Sequence, residues 1–306
     1  METIRNFDEL RRRAETLAAN RGPARVALAP ADDPTGLSAL KQAVDANLAV
    51  PVLVGDPESI RAAAAQAGVE AASWDVIPAD TPAEAVLKAA RLASEGRADM
   101  ILRGRLRAGD FLQALQRDES GLKGKGRVSH VGLFFPAALG RFVLLSDAFV
   151  NVDPDLEAMP EIIANAVAAG RALGLEKPKV ALLSGVELVY PSMTVAVGAA
   201  ALAKMSDRGQ IPGAVVDGPL SLDVALYPDV ARDKKVSGEV AGRADLLLVN
   251  KIEAGHALYK SLVLFGQAET AGMLAGLKVP VAMNSRAESV AARLNAIAWC
   301  MLMTVK

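Results

Sequence analysis

The chain has 306 residues, 52 % of them hydrophobic and 4 % aromatic, and its formal net charge is −1. This length can bury a sizeable core and divide into two lobes, and the core must consist mainly of Ala, Val, Leu and Ile. A net charge near zero gives no reason to expect a nucleic-acid partner. Because Cys300 is the single cysteine, no intramolecular disulfide can form, which fits a reducing, cytoplasmic setting.

The hydropathy pattern argues against a membrane protein. Residues 1–13 contain no apolar signal core. No uninterrupted apolar run approaches the roughly 20 residues that span a bilayer. We therefore expect a soluble, cytoplasmic protein without a membrane partner.

The first third of the chain alternates short apolar runs with amphipathic segments of helical period. In chain order, this pattern predicts a helix over 7–19, a strand over 25–29, a helix over 38–47, a strand over 50–54, a helix over 57–67, a strand over 75–77, a helix over 82–95 and a strand over 100–102. The alternation predicts a parallel sheet with right-handed crossovers.

A glycine-rich basic stretch follows. Residues 121–127 read G-L-K-G-K-G-R. Such a loop can bring backbone N–H groups and cations close to phosphate. The same composition is equally typical of a flexible, solvated loop. No G-x-x-x-x-G-K-[ST] pattern is present that would favour the phosphate interpretation. Both interpretations stay open.

A second α/β series occupies the rest of the chain. The pattern predicts a strand over 142–145, a helix over 156–173, a strand over 179–183, a helix ending near 204, strands over 214–216, 246–249 and 279–283, and a last apolar helix over 290–303. We place the linker at 148–155. This predicts one α/β domain of residues 1–147 with 292–306 and a second of residues 148–291.

Polar residues follow two of these strands, after residues 249 and 283. The second strand end reads Asn284-Ser285-Arg286. Because ligands bind at the carboxyl ends of strands in open parallel sheets, these polar residues can converge on one substrate. They are also ordinary turn residues, and Asn284 or Ser285 would serve as the cap of a helix starting near residue 287.

Several catalytic signatures are missing. His130 and His256 are far apart in sequence and show no metal-ligand spacing, so we predict no metal site. There is no G-x-S-x-G motif of a nucleophilic serine, and the loop after the first strand, P-A-D-D-P, is not a dinucleotide fingerprint. Arg103 and Arg286 follow predicted strands, and a guanidinium matches phosphate oxygens. The residues alone therefore predict a small phosphorylated or anionic ligand.

Short motifs run along nearly the whole chain. They read S-H-V at 129–131, L-S-D-A at 145–148, P-D-L-E at 154–157, K-M-S-D-R-G-Q-I at 204–211, D-G-P-L-S-L-D at 217–223, A-G-R-A-D at 241–245, I-E-A-G at 252–255, Y-K-S-L at 259–262 and S-R-A at 285–287. Each motif is short, and it is their shared order and spacing that resembles the phosphate acetyltransferase/phosphate butyryltransferase family.

The resemblance implies an α/β, two-lobed isocitrate/isopropylmalate dehydrogenase-like fold, with mostly parallel sheets and an interdomain cleft. It implies an acyltransferase that catalyses acyl-CoA + phosphate ⇌ CoA + acyl phosphate on short acyl groups of the acetyl or butyryl type. Coenzyme A is then a substrate, and neither a cofactor nor a metal takes part. Members of such folds assemble as homodimers or larger homo-oligomers, which we expect here too.

The resemblance also implies site residues. Ser285 matches the donor to the carbonyl oxyanion and Arg286 the residue that binds phosphate or CoA. The aspartate that acetyl-type relatives use as thiol base is Ala292 here, so Glu288, the nearest carboxylate, completes the predicted catalytic set. The predicted substrate-binding residues are Arg103, Ser129, His130, Asp147, Asn151, Asp217, Lys251, Glu253 and His256.

Further departures fall where polar ligand contacts are expected. The family's N-I-E-A-G-N reads K-I-E-A-G-H at 251–256, its S-T-x-D reads V-A-V-G at 195–198, and the asparagine of its V-N-P segment is Tyr190. These changes indicate an altered substrate or lost catalysis. The hypotheses are an acyltransferase with an adjusted acyl pocket, a non-catalytic protein that binds CoA or acyl phosphate, and a nicotinamide-dependent dehydrogenase of the same fold class, for which no paired aspartates are evident.

Overall fold

The computed structural model describes residues 2–124 and 126–304 and divides into two compact units. The first unit consists of Phe7–Gly126 with Thr270–Lys306, and the second of Met1–Asn6 with Arg127–Glu269. Within the described residues, no helix is both long enough and apolar enough to cross a membrane.

Helices and strands alternate along the first part of the first unit. They are α1 (Phe7–Arg21), β1 (Ala24–Ala29), α2 (Pro34–Asp45), β2 (Ala49–Gly55), α3 (Pro57–Ala67), β3 (Asp75–Pro78), α4 (Pro82–Ser94), β4 (Met100–Arg103), α5 (Ala108–Leu115) and a short 3₁₀ helix (Asp118–Ser120). Strands β3, β2, β1 and β4 lie side by side in that order and are parallel. The parallel sheet expected from the alternation is confirmed.

Helices α2, α3 and α4 begin in the same way, with a capping side chain followed by proline. The caps are Asp33, Asp56 and Thr81, each of which accepts a hydrogen bond from a backbone N–H of the first turn. Such a cap contributes about 1 kcal/mol, and proline fits the first position without losing a hydrogen bond. Helix α2 therefore starts at Pro34, and the start predicted at residue 38 is wrong.

The second unit contains the second series of strands and helices. Its elements are β5 (Ser129–Phe135), β6 (Val143–Ser146), α6 (Met159–Arg171), β7 (Lys179–Leu183), α7 (Thr194–Asp207), β8 (Val215–Leu220), α8 (Leu222–Leu226), α9 (Pro228–Asp233), β9 (Leu246–Leu248) and α10 (Ile252–Leu264). The strand order is β5-β6-β9-β7-β8. Strands β6, β9, β7 and β8 are parallel, whereas β5 is antiparallel to β6.

The chain then returns to the first unit through β10 (Glu269–Ala275), β11 (Val281–Ala282) and α11 (Val290–Met303). Strand β11 is parallel to β4 and antiparallel to β10. Helix α11 packs against α1 and α2 and buries Trp299 completely. The last helix therefore belongs to the first unit.

The pattern missed the antiparallel strands β5 and β10 and the helices α5, α8 and α9. Strand β5 directly follows the glycine-rich stretch, which reads as a loop, and Lys125 of that stretch lies outside the described residues. Helix α10 starts at Ile252, the first residue of the I-E-A-G motif. Helix α11 is capped by Ser289, whose Oγ accepts a hydrogen bond from the Ala292 N–H at 3.2 Å, and not by Asn284 or Ser285.

The two compact units have their boundaries after Gly126 and Glu269, whereas the sequence analysis placed domain boundaries after residues 147 and 291. The difference follows from strand pairing. Strands β5 and β6 pair with each other and β6 with β9, so this segment groups with the second unit. Strand β11 pairs with β4 and β10 pairs with β11, so this segment groups with the first unit. The linker expected at 148–155 lies inside the second unit.

Candidate active site

The loop between β11 and α11 carries Ser285 and Arg286 at the surface of the first unit. Ser285 is half-buried and Arg286 is exposed. Because the loop follows the carboxyl end of a strand that is parallel to β4, it occupies the place where α/β sheets bind ligands. A hydroxyl donor next to a guanidinium suits a substrate with a carbonyl and a phosphate group.

Glu288 is buried and organises this loop. Its carboxylate accepts hydrogen bonds from Thr270 Oγ1 at 2.9 Å, from Asn284 Nδ2 at 2.8 Å and from the Ser285 N–H at 3.2 Å. Its own N–H donates to the Ser285 carbonyl at 3.0 Å. These contacts are those of a residue that positions Ser285. The catalytic role given to Glu288 in the sequence analysis stays a prediction.

Arg103, at the end of β4, is held beside the same loop. It is 5 % exposed, and its Nη1 donates to the Asn284 carbonyl at 2.9 Å. Its Nε is buried without a hydrogen-bond partner among the described residues. Burial, followed by the positive charges of Arg286 and Arg293, lowers the pKa of Arg103 to about 10. A bound anion near this loop would offset the crowding of positive charge.

A buried ion pair between Asp33 and Arg293 was missed by the sequence analysis. Asp33 caps α2 and Arg293 lies on α11, and both residues are almost fully buried. Because 260 residues separate the partners, no local pattern could reveal the pair. Removing one partner of such a pair costs about 3–5 kcal/mol, because the other charge stays buried.

In the second unit, Asp147 and Asn151 form one network in the loop after β6. The Asp147 carboxylate accepts hydrogen bonds from the N–H groups of Phe149 at 2.9 Å, Val150 at 3.1 Å and Asn151 at 3.2 Å. Asn151 Nδ2 donates to Asp147 at 2.7 Å and to the Val128 carbonyl at 2.9 Å. With its carboxylate occupied in this way, Asp147 shapes the loop.

Ser129 and His130 are completely buried in β5. Ser129 Oγ accepts a hydrogen bond from Asn165 Nδ2 at 2.9 Å. The His130 ring centroid lies 4.6 Å from that of Phe149 and 5.7 Å from that of Tyr259, both at edge-on angles. Such burial indicates that these two residues pack, because a side chain that binds substrate directly needs accessible surface.

Lys251, Glu253 and His256, at the start of α10, are exposed. Lys251 Nζ lies 3.3 Å from an Asp153 carboxylate oxygen. His256 Nδ1 lies 3.4 Å from the Ala148 carbonyl oxygen. All three side chains are therefore accessible to a ligand, and two of them contact the segment that follows β6.

The start of α10 approaches this segment closely. A Cβ at Gly255 would lie only 2.4 Å from the Asp147 carbonyl oxygen, so a glycine is required there.

Asp217 lies elsewhere, on the edge strand β8, where its Oδ1 accepts a hydrogen bond from the Gly218 N–H at 2.8 Å. Three strand spacings separate β8 from β6, about 14 Å. The second unit thus brings together most predicted residues, but not Asp217.

Other reactive side chains are less well placed. Cys300 is buried in α11, and burial raises the pKa of its thiol. Among residues 2–124 and 126–304, no three His, Cys, Asp or Glu side chains are grouped as a metal site requires.

Comparison with known proteins gives the family. Residues 79–301 match the family model described as "Phosphate acetyl/butaryl transferase". The chain is 38 % identical to a phosphate butyryltransferase from Clostridium beijerinckii over 302 residues, 99 % of either chain. A branched-chain phosphotransacylase from Enterococcus faecalis V583 has a similar structure, with a TM-score of 0.79, 30 % identity and coverage of 92 % of this chain and 99 % of that one. The chain therefore belongs to the phosphate acetyl/butyryl transferase family.

The family membership confirms the acyltransferase hypothesis of the sequence analysis. A 4-hydroxythreonine-4-phosphate dehydrogenase from Klebsiella pneumoniae, with a TM-score of 0.53, 16 % identity and coverage of 92 % of this chain and 99 % of that one, shares the fold alone. This likeness agrees with the dehydrogenase-like α/β fold expected from the motifs.

Proposed function

We propose that the chain catalyses acyl-CoA + phosphate ⇌ CoA + acyl phosphate on short acyl groups, with butyryl preferred to acetyl. The observation that carries this proposal is the Ser285-Arg286 loop, fixed by the buried Glu288 and lying beside the unsatisfied Nε of Arg103. The names of the Clostridium and Enterococcus relatives support an acyl group larger than acetyl.

The residues of the loop fit the steps of the reaction. A phosphate oxygen attacks the thioester carbon, a C–O bond forms, and the C–S bond breaks to release CoA as a thiolate that takes up a proton. The Ser285 hydroxyl donates to the carbonyl oxygen as negative charge develops there, an interaction worth about 3 kcal/mol. Arg286 binds the phosphate, and the charge of the buried Arg103 favours an anion there because it offsets the repulsion between the two guanidinium groups.

The test is phosphate-dependent release of free CoA thiol from acetyl-, propionyl-, butyryl- and hexanoyl-CoA. We expect the highest kcat/KM with butyryl-CoA. Ser285→Ala should lower kcat about 10²- to 10³-fold. Ser289→Ala, the matched control, removes only the cap of α11 and should leave kcat unchanged. Release of no thiol from any acyl-CoA, or full activity of Ser285→Ala, would contradict the proposal.

We further propose that the reaction needs no metal or other cofactor, with coenzyme A as a substrate, and that the chain works as a homo-oligomer in the cytoplasm. Exposed apolar side chains at the end of α10, Leu264 at 66 % and Phe265 at 85 %, support an association surface on the second unit. We also propose that Lys251, Glu253 and His256, which are exposed, bind the substrate.

A further inference from the structure

The loop between β4 and α5, residues 104–107, has a fixed course in the first unit. Gly104 passes so close to the loop after β1 that a Cβ there would clash with the Pro30 carbonyl oxygen, so a glycine is required. Its N–H donates to the Ala29 carbonyl at 2.9 Å, and its own carbonyl accepts from the Leu106 N–H at 2.9 Å. These contacts define a tight turn, the turn 104–107, at the carboxyl end of β4.

Arg103 fastens this turn to the loop that carries Ser285. Its Nη1 donates to the Asn284 carbonyl at 2.9 Å, and its Nη2 donates to the Leu106 carbonyl. The two loops follow β11 and β4, which are parallel neighbours about 4.8 Å apart. A buried guanidinium with one acceptor on each loop therefore holds the turn beside Ser285, and both loops belong to the first unit.

The turn presents two further guanidinium groups to solvent. Arg105 and Arg107 are exposed, as is Arg286 on the neighbouring loop. None of these three arginines forms an ion pair with another of the described residues. Asp110, the acidic residue in the first turn of α5, is also exposed and is paired with none of them. Like charges on two adjacent loops repel each other, so a bound anion would stabilise the arrangement.

The start of α5 adds to this preference for an anion. Its N-cap residue, Arg107, provides no capping hydrogen bond. A Cβ at Gly109, in the first turn, would have no other atom within 4 Å, so the space beside this turn is open. The N-terminus of a helix carries partial positive charge, which acts here in the same direction as the side chains of the turn.

Phosphate is the anion that fits this arrangement. A guanidinium presents a planar fork of donors that matches two oxygens of a phosphate group. Both substrates of the proposed reaction carry such groups, because one is inorganic phosphate and the other, acyl-CoA, has phosphate groups on its nucleotide. The turn lies beside the loop to which these substrates would bind.

We propose that the turn 104–107 is a second phosphate-binding element beside the Ser285-Arg286 loop, in which Arg105 and Arg107 bind a phosphate group of a substrate. The inference rests on the acyltransferase function proposed above. The group is either the inorganic phosphate that reacts or a phosphate of the CoA nucleotide, and both have the same chemistry.

The experiment compares butyryl-CoA with butyryl-pantetheine, which has the same thioester but no phosphate group. Thiol release is measured for the wild type, Arg105→Ala and Arg107→Ala, with phosphate and the thioester varied in turn. Loss of a hydrogen bond between charged groups lowers affinity about 10- to 100-fold. We therefore expect each variant to lower kcat/KM for butyryl-CoA about tenfold or more.

The two thioesters identify the source of the phosphate group. If the turn binds the CoA nucleotide, the loss is confined to butyryl-CoA and the KM for phosphate keeps its wild-type value. If the turn binds the reacting phosphate, the KM for phosphate rises with both thioesters. Wild-type kinetics of both variants with both thioesters would overturn the inference.

Arg117→Ala is the matched control, because Arg117 is an exposed arginine beyond the other end of α5 and its loss changes the net charge equally. It should leave kcat/KM unchanged for both thioesters. An equal fall in Arg117→Ala would overturn the inference, because the effect would then be one of net charge.

If the wild type releases no thiol from any acyl-CoA, the proposed function fails. Calorimetric Kd values for CoA, pantetheine and inorganic phosphate then test the turn by itself. Weaker binding of CoA or phosphate in Arg105→Ala, but not in Arg117→Ala, supports the inference. Equal binding, or no binding, in these two variants and the wild type overturns it.

Discussion

Glu288 shows how much of the site depends on residues that a motif does not contain. Its carboxylate is shared by Thr270, Asn284 and the backbone of Ser285. Ser285 of the S-R-A motif is therefore held in place by Glu288, and Glu288 is in turn held by Thr270 on β10. In the proposed reaction Ser285 is the hydroxyl donor, and this network fixes its position.

At the residue scale, we predict that Glu288→Gln and Thr270→Val each lower kcat about tenfold, because each removes part of the network that fixes Ser285. Glutamine has one carbonyl oxygen and one amide donor, so it cannot accept from all three partners. Valine keeps the shape of threonine but donates no hydrogen bond. The measurement is steady-state kinetics of both variants and of the double variant.

The double variant separates a positioning role from a direct one. Coupled residues deviate from additivity by about 0.5–3 kcal/mol. We expect the double variant to lose little more than either single variant, because both act through one network. Additive losses, with Thr270→Val nearly as active as the wild type, would mean that Glu288 acts directly on the reacting groups.

The sequence predicted the residues of the loop but not their supports. Ser285 and Arg286 follow from a local motif, and Arg103 from its position after a strand. Asp33 and Arg293 pair across 260 residues, and Glu288 and Thr270 across 18. The burial of Ser129 and His130 depends on packing against Asn165 and aromatic rings, which a motif read along the chain does not show.

At the scale of elements, Asp245 joins the start of β9 to β7. Its Oδ2 accepts a hydrogen bond from the Lys179 N–H at 2.9 Å, and its own N–H donates to the Lys179 carbonyl at 2.8 Å. Burial raises the pKa of Asp245, although the hydrogen bond from Lys179 and the charge of Arg141 oppose this rise. The charged carboxylate is therefore less favourable in the folded protein than in the unfolded chain.

We predict that Asp245→Asn is more stable than the wild type at pH 7 and that this difference shrinks as the pH falls towards 4. A raised pKa means that the folded state binds more protons than the unfolded state between the two pKa values, so the wild type loses stability as the pH rises through that window. Asparagine keeps an acceptor for Lys179 without the charge. Denaturant unfolding at pH 7 and pH 4 measures the effect, and a less stable variant at pH 7 would contradict it.

The elements that were predicted most closely are those whose signals are local. Capping residues and prolines mark the starts of α3 and α4, and the strand over 179–183 was placed at its observed bounds. Strand β10 shows no alternation of buried and exposed residues, because its residues from Thr270 onwards are all buried. A buried strand of this kind is defined by its neighbours in the sheet, and those neighbours are distant in sequence.

At the scale of the molecule, the first unit is discontinuous. Strand β11 lies between β4 and β10, and α11 packs against α1 and α2. We predict that a chain ending at residue 269 keeps slowly exchanging amides in β6, β7 and β9, while the amides of β1 and β2 exchange rapidly. Hydrogen exchange of this truncated chain measures the effect, and protected amides in β1 and β2 would contradict it.

The segment 270–304 that completes the first unit also determines the order in which the protein can mature on the ribosome. Residues 7–126 emerge first, but they wait for the 143 residues from 127 to 269 before their missing strands and helix are made. At about 5–20 residues per second this wait lasts roughly 7–30 s. During that time the faces of α1 and α2 that pack against α11 in the folded protein stay uncovered.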